Sequence, residues 1–281
     1  MSHERFYSRV NGPTIHQFNH VRWLDEVSPR HLAGGGDPRH VTDYLLAAGW
    51  SNHSVPGYPH VLLESPDKQL HLTLEPTSPE ARTPWWRIHP AERQSREWWS
   101  AQFGGHTPVE IIAGFTNAVT NRTHAPLGDL WQLATGQGWS LVHQGPEAAA
   151  LAPDETAILV RAPNAVVSDT PGWRWAAEVS VPITEERRRW LWGASIDETA
   201  PSAAIAGFVT ALLDTAPLLR DEGQQPDTFF HLIAVRSTVT PEQLQQMHLQ
   251  RLEDARRTLP PTSPPAGRPS SPGAAHRRKP R

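Results

Sequence analysis

Fifteen histidines bring metal chemistry to mind first, and His16 with His20 has the i, i+4 spacing that sets two imidazoles on one helical face. No His-Glu-x-x-His pattern accompanies them, and Asn11-Gly12-Pro13 works against a long helix there, so surface or turn histidines are expected and no metal ligand is assigned. Gly34-Gly35-Gly36-Asp37 ahead of a helical segment offers backbone amides to a phosphate, but it lacks the Walker lysine and the spacing of a dinucleotide loop. A flexible lead-in is the expectation for it. There is no Gly-x-Ser-x-Gly elbow and no cysteine, which removes the nucleophile elbow and thiolate chemistry together. Asp67 and Asp154 fall where a tight turn wants an aspartate for backbone reasons. Neither a catalytic residue nor a cofactor is expected.

Binding chemistry is better represented. The chain has 12 tryptophans, and several appear in paired positions: Trp50 with Trp139, Trp86 with Trp173, Trp98 with Trp190. Repeated core anchors explain most of them. In the doublets Trp85-Trp86 and Trp98-Trp99, strand geometry sends neighbours to opposite faces, so one member of each should face outward. Arginines accompany them: Arg82, Arg87, Arg93 and Arg96 in the first half, Arg174 and the run Arg187-Arg188-Arg189 in the second. Glu92, Glu97, Glu178, Glu185 and Glu186 dilute this charge, and a salt-bridged, solvated face is the plain reading. The functional reading is a phosphate-contacting strip present twice, in which those eight arginines with Trp85 and Trp99 touch nucleic acid.

The elements that must carry these residues read as a duplication. Gly49-Trp50 recurs as Gly138-Trp139, and Ser65-Pro66-Asp67-Lys68 as Ala152-Pro153-Asp154-Glu155. Thr83-Pro84 recurs as Thr170-Pro171, and Ile112-Ala113-Gly114-Phe115 as Ile205-Ala206-Gly207-Phe208. The spacing predicts an α+β fold of two tandem modules related by a pseudo-twofold. Each is an antiparallel sheet of about four strands with flanking helices, in the order α-β-β-β-β-α. Asp37-Pro38 opens the first helix and Gly49 ends it. Leu70, Leu72 and Leu74 alternate with polar neighbours, as on a strand with one buried face. Thr107-Pro108-Val109-Glu110 reads as a helix cap with a capping-box acid, and Ala200 in the place of Thr107 predicts a weaker start in the second copy.

The Gly-Trp pair, Ser65-Pro66-Asp67, the tryptophan strand and the Thr-Pro-Val-Glu helix start resemble the SPDY domain, a bacterial domain of unknown function often found in tandem. Ser28 to Asp37 is similar to the lead-in of such proteins. The resemblance covers 28–122 well and 127–219 more loosely, departs from the motif at Lys68 and at Ala152-Pro153-Asp154-Glu155, and implies architecture while assigning no catalytic residues.

The resulting division is an N-terminal extension (1–27), a first module (28–122), a second module (127–220), a strand with an amphipathic helix (226–259), and a basic, Pro-rich tail (260–281) expected to be disordered. The tail carries five basic residues and no acidic ones, leaving 21 basic against 29 acidic residues before it, a formal −8. An acidic body counts against whole-surface attraction to nucleic acid. No apolar run suggests a membrane span and no secretion signal is visible, so a cytoplasmic protein with no membrane partner is expected. The expected function is non-enzymatic binding of double-stranded DNA by the paired Arg/Trp surfaces. The alternative is a protein partner or self-association through exposed tryptophans and the C-terminal helix.

Overall fold

The turn Ser65-Pro66-Asp67-Lys68 joins two strands because each of its residues has a local job. The Asp67 carboxylate accepts from the Gln69 amide at 3.1 Å, the Ser65 hydroxyl accepts from the Leu70 amide at 2.9 Å, and Lys68 takes a left-handed φ of 59°. In Ala152-Pro153-Asp154-Glu155 the same work is done by Asp154, which accepts from the Thr156 amide at 3.1 Å, and by Glu155 at φ 57°. Left-handed backbone is uncommon outside glycine, and the two turns place it at the same position.

The computed structural model describes residues 23–76, 83–92, 98–121, 129–144, 147–163, 172–221 and 233–257. His16, His20, Arg82, Arg93, Arg96 and the basic tail lie outside them. The strands are β1 (Asp25–Ser28), β2 (Ser51–Asn52), β3 (Val61–Glu64), β4 (Leu70–Leu74), β5 (Pro84–Pro90), β6 (Ala101–Gly104), β7 (Ser140–Gln144), β8 (Glu147–Leu151), β9 (Ala157–Pro163), β10 (Trp173–Pro182), β11 (Arg188–Asp197), β12 (Leu218–Arg220) and β13 (Ile233–Arg236). The helices are α1 (Arg39–Ala47), α2 (Val109–Thr120), α3 (Leu130–Gly136), α4 (Ser202–Leu213) and α5 (Pro241–Arg257).

Ten strands form one antiparallel sheet in the order β2-β3-β4-β5-β6-β11-β10-β9-β8-β7, and β12-β1-β13 form a second. The α+β class therefore holds. Each half supplies five strands to the large sheet where about four were expected, the extra ones being the edge strands β2 and β7. The halves join along β6 and β11, where Gln102 lies opposite Ser195 and the flanking pairs are Ala101 with Ile196 and Phe103 with Ala194.

The helices cover one face of this sheet. α2 and α4 cross where Gly114 meets Gly207, and a Cβ added at either glycine would lie 2.4 or 2.3 Å from the carbonyl oxygen of the other. Only glycine permits that approach. One cluster of buried apolar residues runs from Leu32 to Ala255 through both halves, in place of the two separate cores that a pair of compact domains would have. Trp50, Trp86, Trp99, Trp139, Trp175 and Trp192 all belong to it.

The capping expectation fails for a specific reason. α2 begins at Pro108 with no side-chain cap, and Thr107 is buried with its hydroxyl unpartnered among the described residues. Glu110 is taken by Arg220 instead, through two bonds of 2.7 Å. α4 likewise starts at Pro201 without a side-chain cap, so the two starts do not differ as Thr107 and Ala200 implied.

Candidate interaction face

Strand pairing fixes which side chains share the face of the large sheet that points away from the helices. One row crosses from edge to edge: Leu62, Thr73, Arg87, Gln102, Ser195, Ala176, Val160, Ala149, Val142. Beside it, Glu64, His71 and His89 lie opposite one another in the first half, and Leu151, Ile158 and Glu178 do so in the second. The first half of the face is polar. His71 and His53 approach Glu64 at 3.6 and 3.4 Å, and His89 lies 5.1 Å from the Trp98 ring. Among the described residues no group of three or more His, Asp or Glu is arranged to hold a metal ion.

The second half of the same face is aliphatic across β7, β8 and β9, with Glu178 exposed beside them on β10. Val142 is 50% exposed, and Ala149, Leu151, Ile158 and Val160 are half-buried. None of the five belongs to the core cluster or packs against it. Strands with one solvated face alternate apolar with polar, whereas strands covered on both faces read as continuous apolar runs. Ala148-Ala149-Ala150-Leu151 and Ala157-Ile158-Leu159-Val160 are runs of the second kind.

The residues proposed from sequence as nucleic-acid contacts are dispersed by this geometry. Arg87 lies on the outer face but is ion-paired with Glu75. Arg174 is only 2% exposed and pairs with Asp197 at 2.6 Å, whose other oxygen accepts from the Ser100 amide at 2.7 Å. It is an interior strut, because a buried guanidinium must have its charge answered nearby. Trp99 is also buried, its ring 5.9 Å from that of Phe115. Trp85 is half-buried, its ring laid so closely over Gly105 that a Cβ there would lie 2.3 Å from it.

The register also corrects the pairing of the tryptophans. Trp86 lies opposite Leu74 and Phe103, and the corresponding place between Arg161 and Ile196 belongs to Trp175, two residues beyond Trp173. The place matching Arg87 is therefore Ala176, and among the described residues Arg87 has no arginine counterpart in the second half of the sheet. Sheet register carries this information, and a match between similar dipeptides does not.

Arg187, Arg188 and Arg189 remain exposed. β10 and β11 are each 10 residues long, and their pairing runs past the last β9 contact at Val179 and the last β6 contact at Ala194. Residues 182–189 thus form an exposed hairpin arm, while Val181 at its base stays buried in the core. Arg188 is tied back, donating to the Ser180 hydroxyl at 2.9 Å and the Glu155 carbonyl at 2.5 Å. Arg189 faces His106, whose imidazole is held below its ordinary range by burial and by that charge.

The polar residues that sequence reading missed lie in the lead-in. Arg30 donates to the carbonyls of Ala211 and Ala216 at 3.2 Å and meets Asp214 at 2.6 Å. His31 meets the Thr156 hydroxyl at 2.7 Å, which itself donates to Asp154 at 2.7 Å. Burial alone would raise Asp154, but the bonds from His31 and Thr156 outweigh it and bring the carboxyl down to about 2. This is not a nucleophile triad: the carboxylate binds the hydroxyl itself, and His31 and Thr156 are only 5% and 3% exposed. Arg220 donates to the carbonyls of Ala33 and Gly34 at 3.0 and 3.2 Å. Its charge also overcomes the burial of Glu110 and holds that carboxyl near 2. A Cβ on Gly35 would lie 2.7 Å from the Gly105 carbonyl oxygen. The glycine run is a packed strap, and its glycines serve close approach, where flexibility was expected.

Residues 64–125 match the model of the SPDY family, described as a domain of unknown function (DUF317). This chain carries an SPDY domain. The SPDY match begins at the end of β3, runs through β4, β5, β6 and α2, and includes Gly114 at the helix crossing. No curated protein and no solved structure matches the chain. Among the described residues, no helix is long and apolar enough to cross a membrane.

Proposed function

We propose that this SPDY-domain protein is a non-enzymatic interaction module that docks a protein partner on the second half of its outer sheet face. The observation that carries the reading is the exchange of polar for aliphatic residues between matching positions on β3–β4 and β8–β9: Glu64 against Leu151, His71 against Ile158, Thr73 against Val160, while on the next strand His89 is matched by Glu178. A contiguous apolar surface on a soluble chain marks a contact site. The reading includes a tandem duplication with an approximate dyad through the Gln102–Ser195 pair. It is supported by the exchange of Ala101–Ile196 with Phe103–Ala194 across that pair and by the Gly114–Gly207 crossing. A cytoplasmic setting accords with the absence of cysteine. Hydrogen exchange of the full chain with and without fractionated native lysate tests it. Protection confined to β7, β8 and β9 is expected, and unchanged exchange there would sink it.

A second reading, duplex DNA binding, is favoured by the arm. A two-stranded β-ribbon fits the major groove, and Arg187 and Arg189 have no ion pair among the described residues. Fluorescence anisotropy with a labelled duplex at two salt concentrations tests it. Affinity should fall steeply with salt and should drop in Arg187→Ala/Arg189→Ala, and salt-independent or absent binding removes the reading.

A further inference from the structure

We infer that the partner on the aliphatic half-face is a second copy of this chain, packed sheet against sheet about a twofold axis. The inference rests on the interaction reading above and adds the identity of the occupant. Its first support is shape. Across the strands large and small side chains alternate, Val142 beside Ala149 beside Val160 in one row, with Leu151 and Ile158 filling the next. Ala149 is thus a dip among four larger side chains, and the rotated copy offers both the dip and a side chain to fill it, as facing sheets about 10 Å apart require.

The second support is charge. Glu147 closes one end of the patch, exposed at the start of β8. Arg188 closes the other, fixed beside Ser180 by its bonds to that residue. When two copies meet face to face with strands antiparallel, Glu147 of each lies toward Arg188 of the other. The pairing occurs twice, and an isologous contact demands that repetition. Between these two ends the exposed side chains of β7, β8 and β9 on this face are uncharged, and Glu178 stands at its side on β10, so the opposite charges at opposite ends favour a second copy over a foreign partner.

The size of the patch sets the strength. Three strands about 4.8 Å apart and five residues long span roughly 14 Å by 17 Å, well below the ~800 Å² per partner of a tight complex. The dimer is therefore weak, dissociating on the order of tens of micromolar.

Sedimentation velocity on the full chain from about 1 to about 200 µM tests this, with circular dichroism and melting curves as controls for folding. The wild type should shift from monomer to dimer across that range. Val160→Lys should remain monomeric with an unchanged melting curve. Glu147→Arg and Arg188→Glu should each weaken association by about tenfold, and the double reversal should restore most of it. Dimerisation unaffected by Val160→Lys would place the contact elsewhere and overturn the inference. A wild type monomeric throughout would also overturn it. In that case binding of an apolar dye, abolished by Val160→Lys, leaves the half-face as a site for a foreign protein, and no dye binding removes the interaction reading too.

Discussion

Arginine has three different jobs in this chain, and its surroundings decide which. Arg30, Arg39, Arg174 and Arg220 are buried and act as interior ties, Arg87 is paired at the surface, and Arg187 and Arg189 are exposed on the arm. Arg174→Ala should therefore cost about 3–5 kcal/mol in urea unfolding, because it strands Asp197 beneath the face. A titration of nucleic acid would register only that loss of folded protein. His40 has a different signature. Burial and the nearby Arg251 charge push its pKa down to about 3, so below the ordinary value of 6.5 the unfolded chain takes a proton that the folded chain refuses. Stability then falls as pH drops from about 6.5 towards 3, by up to about tenfold in the unfolding equilibrium per pH unit. Urea midpoints at pH 7 and pH 5 should converge in His40→Gln. The carboxyls of Glu110 and Asp154 have the opposite origin with the same direction. Their folded values near 2 mean that their contribution, complete above about 4.5, is lost as pH falls toward 2.

Elements were legible where chemistry was local. The turns, the strand around Leu72 and the span of α5 (Pro241–Arg257) follow from proline, aspartate and periodicity, which act within a few residues. What was not legible depends on partners distant in sequence. Thr107-Pro108-Val109-Glu110 has the composition of a capping box, yet Glu110 is claimed by Arg220, 110 residues away. Trp173-Arg174 resembles Trp86-Arg87, yet a two-residue offset in register makes Trp175 the counterpart. The aliphatic half-face was readable in principle from the unbroken runs in β8 and β9, since such runs report burial on both sides. At the α2–α4 crossing, Gly114→Ala should destabilise by about 1–3 kcal/mol, because its Cβ would meet the Gly207 carbonyl oxygen at 2.4 Å. Chemical denaturation with unchanged slope would check this.

At the scale of the molecule, the shared core predicts a single cooperative transition. The apolar cluster crosses from one half to the other, so neither half can open without exposing the other's interior. Calorimetry should give a calorimetric enthalpy equal to the van't Hoff enthalpy, and two resolved peaks would contradict the merged core.

The strap has a consequence for the order in which the chain is made. His31 binds Thr156, synthesised 125 residues later, and the carbonyl of Ala33 is claimed by Arg220, 187 residues later. At roughly 5–20 residues per second, the wait is on the order of ten to forty seconds on the ribosome. During translation the SPDY half therefore emerges with its entrance segment unclasped. A nascent chain arrested before Arg220 should be cut by protease near the glycines, and the finished protein should resist.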